Sequence, residues 1–360
     1  MDFSITDDQQ SLQALAKQIL TEQASHEHLK KLEALANESG AWSVFDRDLW
    51  QRLADAGITG IALPETVGGA GLGFVEIGLV LEQIGRTVAP VPAAPTLVTS
   101  YVLAKSNVLP QALDGVADGR TILTTAFEGE VTGKRGDGLV LTGETPFVPY
   151  GAEADVVVVP VTTDEGVAIA FVRRGSYTVT ELQTTNREPQ ATLTFADVTV
   201  PATDVLADGT DLLHDLRLHM TAGLAMEAAG VCAAALEMTA THTSNREQFG
   251  KKIASFQAVG QRAADAYIDT EMVRLTATQA MWRLSEGWQA DEEVAVAKFW
   301  VGDGGMRALH ACQHLHGGLG VDLDYPLHRY FVWGKQLEHE LGTPTRQLLT
   351  LGAQLAATPV

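Results

Sequence analysis

The stretch Asn245-Arg246-Glu247-Gln248-Phe249-Gly250-Lys251-Lys252-Ile253, followed by Ser255-Phe256-Gln257-Ala258-Val259, holds the residue types best suited to chemistry. A long helical pattern ends near Arg246, breaks at Gly250 and restarts at Ser255, a residue type that caps helices. An arginine at such a break can point into an interface, where its planar fork of donors suits a pyrophosphate. The same residues also suit an ordinary helix turn with solvated charges. Other constellations fail on spacing. Gly68-Gly69-Ala70-Gly71-Leu72-Gly73 resembles a dinucleotide fingerprint, but Phe74 stands where the last glycine is needed and no strand precedes it. Gly250-Lys251 is followed by Lys252, not by the Ser or Thr of a phosphate loop. His310 and His314 lie four apart on an expected helix, with His316 beyond. No acidic third ligand is near them, so no metal site is expected. His339-Glu340 lacks the second histidine of a zinc-hydrolase helix.

The elements that must position these residues follow from hydrophobic period. The first part is helical: Thr6-Asp7-Asp8 precedes Leu12, Leu15, Ala16, Ile19 and Leu20 in an amphipathic series. Asp46 to Trp50 opens a second helix that stops at Gly57, and Phe74 to about Ile84 forms another. Ala89-Pro90-Val91-Pro92-Ala93-Ala94-Pro95 cannot be helical throughout, because each proline disfavours helix at the residue before it. From Gly119 to about Leu206 the runs are short and β-branched, among them Val156–Val161, Val167–Val172 and Ala191–Val200. After Asp208 the pattern is helical again, with Met220–Thr243 long and Ala-rich. The expected class is α+β, with a helical domain over 1–118, a β-domain over 119–206 and a C-terminal helical bundle over 207–360.

Composition narrows the role. The 360 residues carry a formal charge of −20, with 46% hydrophobic and 19% charged residues. So acidic a body repels phosphate backbones and anionic lipid, which argues against nucleic-acid and membrane partners. Met220–Ala240 is apolar but contains Glu227 and Glu237, and reads as a buried helix. The two cysteines, Cys232 and Cys312, form no C-x-x-C pair and suit a reducing, cytoplasmic setting. Met1-Asp2-Phe3 lacks the basic-then-apolar signature of an export signal.

The Arg246-to-Phe249-Gly250 turn followed by Phe256-Gln257 resembles the R-x-x-F-G and F-Q motif of the acyl-CoA dehydrogenase family. The likeness extends along the chain. Met1-Asp2-Phe3 with Thr6-Asp7-Asp8-Gln9, Leu49 to Gly71, Glu82 to Pro90 and Leu113 to Thr125 match in order, as does His314-Leu315-His316-Gly317-Gly318-Leu319-Gly320. The resemblance implies the acyl-CoA dehydrogenase fold with a C-terminal four-helix bundle. It implies FAD as cofactor, α,β-dehydrogenation of an acyl-CoA thioester, and electron-transfer flavoprotein as acceptor. In this family a flavin lies at a dimer interface, and a neighbouring chain supplies the Arg/Phe-Gly turn and the glycine motif. Carried over to this sequence, the resemblance assigns cofactor binding to Arg246, Gln248, Phe249, Phe256, Gln257, Gln313, His314, Gly317 and Gly318, with His314 where many members have Gln.

The other half of the family pattern is eroded. Thr124-Thr125-Ala126-Phe127-Glu128-Gly129-Glu130 replaces a T-E-P-x-x-G-S-D-like loop, and Phe147-Val148-Pro149 replaces a W-I-[ST] strand. At the two positions where members carry the catalytic glutamate stand Leu341 and Met220, which cannot take a proton. No catalytic residue is therefore expected. Glu340, one residue off, reads as a surface carboxylate. This combination resembles the non-catalytic subunits of actinobacterial heterotetrameric (α2β2) acyl-CoA dehydrogenases of steroid side-chain catabolism. It implies a paralogous catalytic partner that holds most of the acyl-CoA. The alternatives are a self-sufficient homomer using Glu340 or Glu227, and a flavin-free scaffold or regulatory paralogue.

Overall fold

The computed structural model describes residues 3–357, so Met1, Asp2 and Thr358 to Val360 lie outside the described residues. Helices α1 (Asp7–Gln23), α2 (His26–Ser39), α3 (Arg47–Asp55), α4 (Phe74–Thr87) and α5 (Ala93–Lys105) come first. Strands β1 (Leu123–Thr125), β2 (Glu130–Arg135), β3 (Gly138–Pro149), β4 (Val156–Thr163), β5 (Gly166–Arg173), β6 (Thr178–Leu182), β7 (Gln190–Pro201) and β8 (Val205–Leu206) follow. Then come α6 (Thr210–Asn245), the hairpin β9 (Glu247–Gln248) and β10 (Lys251–Lys252), α7 (Gln257–Ser285), α8 (Asp291–Trp300), α9 (Met306–His316), α10 (Leu327–His339) and α11 (Pro344–Ala357). This is the helix–sheet–helix order of an α+β chain.

Local chemistry explains the element ends. Thr6 caps α1 in a reciprocal box: its hydroxyl accepts from Gln9 N–H at 3.2 Å, and the Gln9 side chain accepts from Thr6 N–H at 2.9 Å. Asp46 caps α3 by accepting from Leu49 N–H at 3.0 Å. The proline-rich run holds the start of α5, which begins at Ala93 with Pro95 inside its first turn. A proline there forfeits no helical hydrogen bond, because first-turn N–H groups have no partner within the helix. Sequence reading left this helix unplaced for that reason. Ser255 is not the cap of α7. Phe256 takes the cap position, and the Ser255 hydroxyl donates instead to Lys252 O at 2.7 Å.

The chain packs as two compact units that do not follow chain order. One comprises Lys31–Ile77 and Pro90–Met220. Its sheet runs β6-β7-β3-β2-β4-β5-β8, with β1 parallel to β4. Alternating residues of these strands, including Leu139, Leu141, Val157, Val159, Val161, Leu193 and Phe195, fill the core beneath it. β3 is bulged against β7 between Thr145 and Val148, at the segment where the family motif is lost.

The other unit comprises residues up to Lys30, Gly78–Ala89 and Thr221 onward. Here α4 and α6 cross backbone to backbone. A Cβ on Gly85 would fall 1.9 Å from Glu227 O, and one on Gly230 would fall 1.9 Å from Glu82 O, so only glycine fits at either point. α6 is the one described helix long and apolar enough to cross a membrane, yet 89% of that apolar window is buried in the protein. It is a core helix here, as its glutamates suggest. A single π turn, Val301–Gly305, joins α8 to α9.

Candidate functional site

All nine residues assigned by resemblance to the cofactor lie in the unit that holds the end of α6 and α7–α11. α6 stops at Asn245, and β9 and β10 pair antiparallel with Gln248 opposite Lys251. The two-residue tip is Phe249 and Gly250, at φ 55° and 77°. That is the backbone a tight hairpin demands, and glycine adopts it readily while phenylalanine resists it. Ile253 N–H closes the turn on Arg246 O at 2.9 Å. Phe249 is 92% exposed, touching Phe256 edge-on with ring centroids 6.2 Å apart. Burying such a ring typically contributes about 1.5–3 kcal/mol. Lys251 Nζ sits 4.3 Å from the centroid of the Phe256 ring.

Arg246 is exposed, and among the described residues its guanidinium has no hydrogen-bond or ion-pair partner. The neighbouring charges are already engaged: Lys252 Nζ bonds Asn245 O at 2.9 Å and pairs with Glu247 at 2.9 Å. Gln248 turns back, donating to Glu247 O at 2.8 Å. Gln257 opens α7, and its side-chain amide makes no hydrogen bond among the described residues.

The second segment is the end of α9. Gln313 and His314 make no side-chain hydrogen bond among the described residues. Together with Gly317, Arg262, His310 and Val321 they line one open depression. Gly317 sits at φ 62°, ψ −139°, a conformation that belongs to glycine. A Cβ on Gly318 would meet nothing in the chain, so its smallness answers no packing demand of this chain. Exposed guanidinium, amide and imidazole groups beside an open glycine turn form a donor set chemically suited to an anionic group such as a pyrophosphate. Arg262 and His310 were not foreseen from sequence. The His310–His314 spacing did place both on one helical face, but it was read there only against metal binding.

The corresponding half in the other unit is closed on itself. Arg217 lies over the Phe127 ring at 5.2 Å and donates to Phe127 O at 2.9 Å. Thr145 Oγ1 donates to Glu128 O at 2.5 Å, and a Cβ on Gly129 would fall 2.4 Å from Glu144 O. The loop that replaces the family motif is thus tied to β3 through Glu128 O and to α6 through Phe127 O. Phe147, at φ 56°, stands out from the bulge at 62% exposure. Met220 is buried at 5%.

One partly buried carboxyl near the expected base position departs from the sequence expectation. Glu340 follows α10 and is half-buried rather than a surface carboxylate. Burial pushes its carboxyl up to about 7, opposed by the charge of Lys298. Lys298, fully buried, donates to Leu337 O at 2.6 Å and Glu338 O at 3.1 Å, capping the C-terminus of α10, and burial pulls its ammonium down to about 8. Glu227, 4% exposed on α6, accepts from Trp333 Nε1 at 2.8 Å, and burial pushes it up to about 8, against the Trp333 hydrogen bond and with help from Glu340. Leu341 itself is left-handed, at φ 54°, and its carbonyl accepts from Gln347 Nε2 at 3.0 Å.

Comparison with known proteins places this arrangement. Sequence profiles of the acyl-CoA dehydrogenase N-terminal domain match residues 6–107, and those of its C-terminal domain match residues 208–356. The chain is 38% identical to acyl-CoA dehydrogenase FadE27 of Mycobacterium tuberculosis over the full length of both. It superposes on a chain of the ChsE4–ChsE5 complex from the same organism with a TM-score of 0.93 and 40% identity, covering all of both chains. On the Tcur3481–Tcur3483 steroid acyl-CoA dehydrogenase the TM-score is 0.90 at 37% identity, over 98% of this chain and 99% of that one. The chain belongs to the acyl-CoA dehydrogenase family, whose members are FAD-dependent flavoproteins.

Proposed function

We propose that this chain is the cofactor-completing, non-catalytic subunit of a heteromeric FAD-dependent acyl-CoA dehydrogenase. A paralogous catalytic chain joins it in an α2β2 tetramer and holds most of the acyl-CoA, a steroid side-chain thioester, with electron-transfer flavoprotein as acceptor and the cytoplasm as setting. One asymmetry carries this reading. The segment that faces a neighbour's flavin is open, with Arg246 unpaired and Gly318 unobstructed, whereas the chain's own half is pinned shut by Arg217 and Thr145. The likeness to chains of a two-component complex and of a steroid acyl-CoA dehydrogenase supports the partner and the substrate class. The change from helix to strand between Leu113 and Leu123, and back between Leu206 and Thr210, supports a division into three sequence domains at residues 118 and 206.

Within this reading each residue has a task. Bound flavin supplies the redox step. Arg246 would hold the pyrophosphate by charge-assisted hydrogen bonds, and Gln257, Gln313 and His314 would offer donors to the nucleotide. Phe249 and Phe256 exclude water from it. Leu341 and Met220 take no proton, so the α-proton leaves to a base on the partner.

The Glu340 carboxyl, held near 7, favours a second reading in which the chain is a complete enzyme with Glu340 or Glu227 as base. The two readings separate in turnover assays with an artificial electron acceptor. The isolated chain should give no acyl-CoA oxidation, and Glu340→Gln should leave the assembled complex within about threefold of wild type, a barrier change under ~1 kcal/mol. A loss of a hundredfold or more, with flavin and assembly intact, would establish the homomeric chemistry instead.

A further inference from the structure

The flavin reading requires two distant segments to meet one ligand: the Arg246 turn after α6 and the Gly317–Gly318 turn after α9. The structure shows what ties them. His242 lies on the last turn of α6, and its carbonyl accepts the Arg246 N–H at 2.8 Å. His316 ends α9, immediately before Gly317. The two imidazoles stack with centroids 4.4 Å apart and planes at 22°. One ring therefore belongs to the residue that anchors the Arg246 backbone, and the other adjoins the glycine turn.

His316 is fixed at both nitrogens. Its Nδ1 lies 2.8 Å from Cys312 O, which only accepts, so Nδ1 carries the proton. Nε2 is left to accept from the Tyr325 hydroxyl at 3.2 Å. At 6% exposure the ring has no room to rotate away. Burial holds both imidazoles below their ordinary value, and for His242 the neighbouring His316 and Arg246 act in the same direction. The stack thus joins two neutral rings, with the positive charge of Arg246 left free to face outward.

We propose that His242 and His316 are positioning residues whose ring stack holds the Arg246 turn and the Gly317–Gly318 turn in one register for a single pyrophosphate-bearing nucleotide. The inference rests on the flavin reading, and its test separates the two.

Hydrogen–deuterium exchange is followed on the full chain. In His316→Ala the amides of Arg246 and Ile253 exchange several-fold to about tenfold faster, the range an aromatic pair supplies, while α10 amides keep their rates. His316→Phe, which keeps a stacking ring, restores them to within about twofold. A local defect at the end of α9 would neither reach the hairpin nor be rescued by a ring lacking the nitrogens. Should His316→Ala fold poorly, His242→Ala probes the stack from its half-exposed side and should loosen the Gly317 and Gly318 amides instead. FAD is then titrated into the chain co-purified with the paralogue it is proposed to join, and its dissociation constant should rise for the alanine variants and recover with phenylalanine. Hairpin amides indifferent to both alanine variants, or a phenylalanine variant no better than alanine, would overturn the staple. A wild-type assembly that binds no FAD, while the alanine variants show the exchange effect, would overturn the flavin reading, and with it the ligand assigned to the staple.

Discussion

Glu227→Gln is expected to stabilise the protein at pH 8.5 by on the order of 3–5 kcal/mol, and to change little at pH 4.5. The sign follows from where the proton sits. Burial raises the folded carboxyl from 4.5 to about 8. Below pH 4.5 folded and unfolded chains both hold the proton, and the carboxyl exacts nothing. Between 4.5 and 8 the unfolded chain releases it while the folded chain keeps it, so stability falls as pH rises. Above 8 the full penalty is present, about 1.4 kcal/mol for each pH unit of that window, reduced by the share that Glu340 would otherwise contribute. Glutamine has no proton to release, and its amide oxygen keeps the 2.8 Å bond from Trp333. Denaturant unfolding of both proteins at pH 4.5, 6 and 8.5 measures the gap. A gap that does not widen with pH, or a variant less stable at 8.5, would show that the carboxylate is charged and compensated in the folded chain.

Arg246→Ala should weaken flavin binding by tenfold to a hundredfold while leaving the fold intact. The guanidinium is exposed and makes no bond among the described residues, so its removal should alter unfolding by less than about 0.5 kcal/mol. A bidentate charge-assisted pair with pyrophosphate contributes roughly 1.5–3 kcal/mol, which sets the fold-change. Arg246→Lys should fall between, because an ammonium keeps the charge and loses the fork. FAD titration at limiting concentration, with thermal unfolding as control, reads both quantities. Unchanged flavin content in the alanine variant would remove Arg246 from the site.

Much of this was legible in the sequence because local signals and global fold agree. The short β-branched runs from Val156 and Val167 became the adjacent strands β4 and β5, and the Ala-rich run at Met220 became the buried middle of α6. The Arg246 turn was legible as a break in the helical pattern at Gly250, which takes the left-handed backbone of the hairpin tip at φ 77°, and through the motif it shares with the family. What escaped was either masked locally or made by distant partners. The start of α5 hid behind Pro95, whose first-turn position makes it harmless. Ser255 has a capping side chain, but its hydroxyl is drawn to Lys252 O. Glu340 looked like a surface group because nothing in its own segment reveals that Lys298, arriving on α8, is buried against the end of α10. The His242–His316 stack joins two helices far apart in the chain, and no spacing within either announces it.

The central claim is that this chain offers the neighbour half of a flavin site and not its own. Counting flavin per chain by absorbance tests it most directly, for the chain purified alone and for the chain co-purified with its catalytic paralogue. The isolated chain should carry essentially none, since two copies present two neighbour halves and no complete site. The mixed assembly should carry one flavin per heterodimer, two per tetramer. One flavin per chain in the isolated protein, or four in the tetramer, would contradict the account.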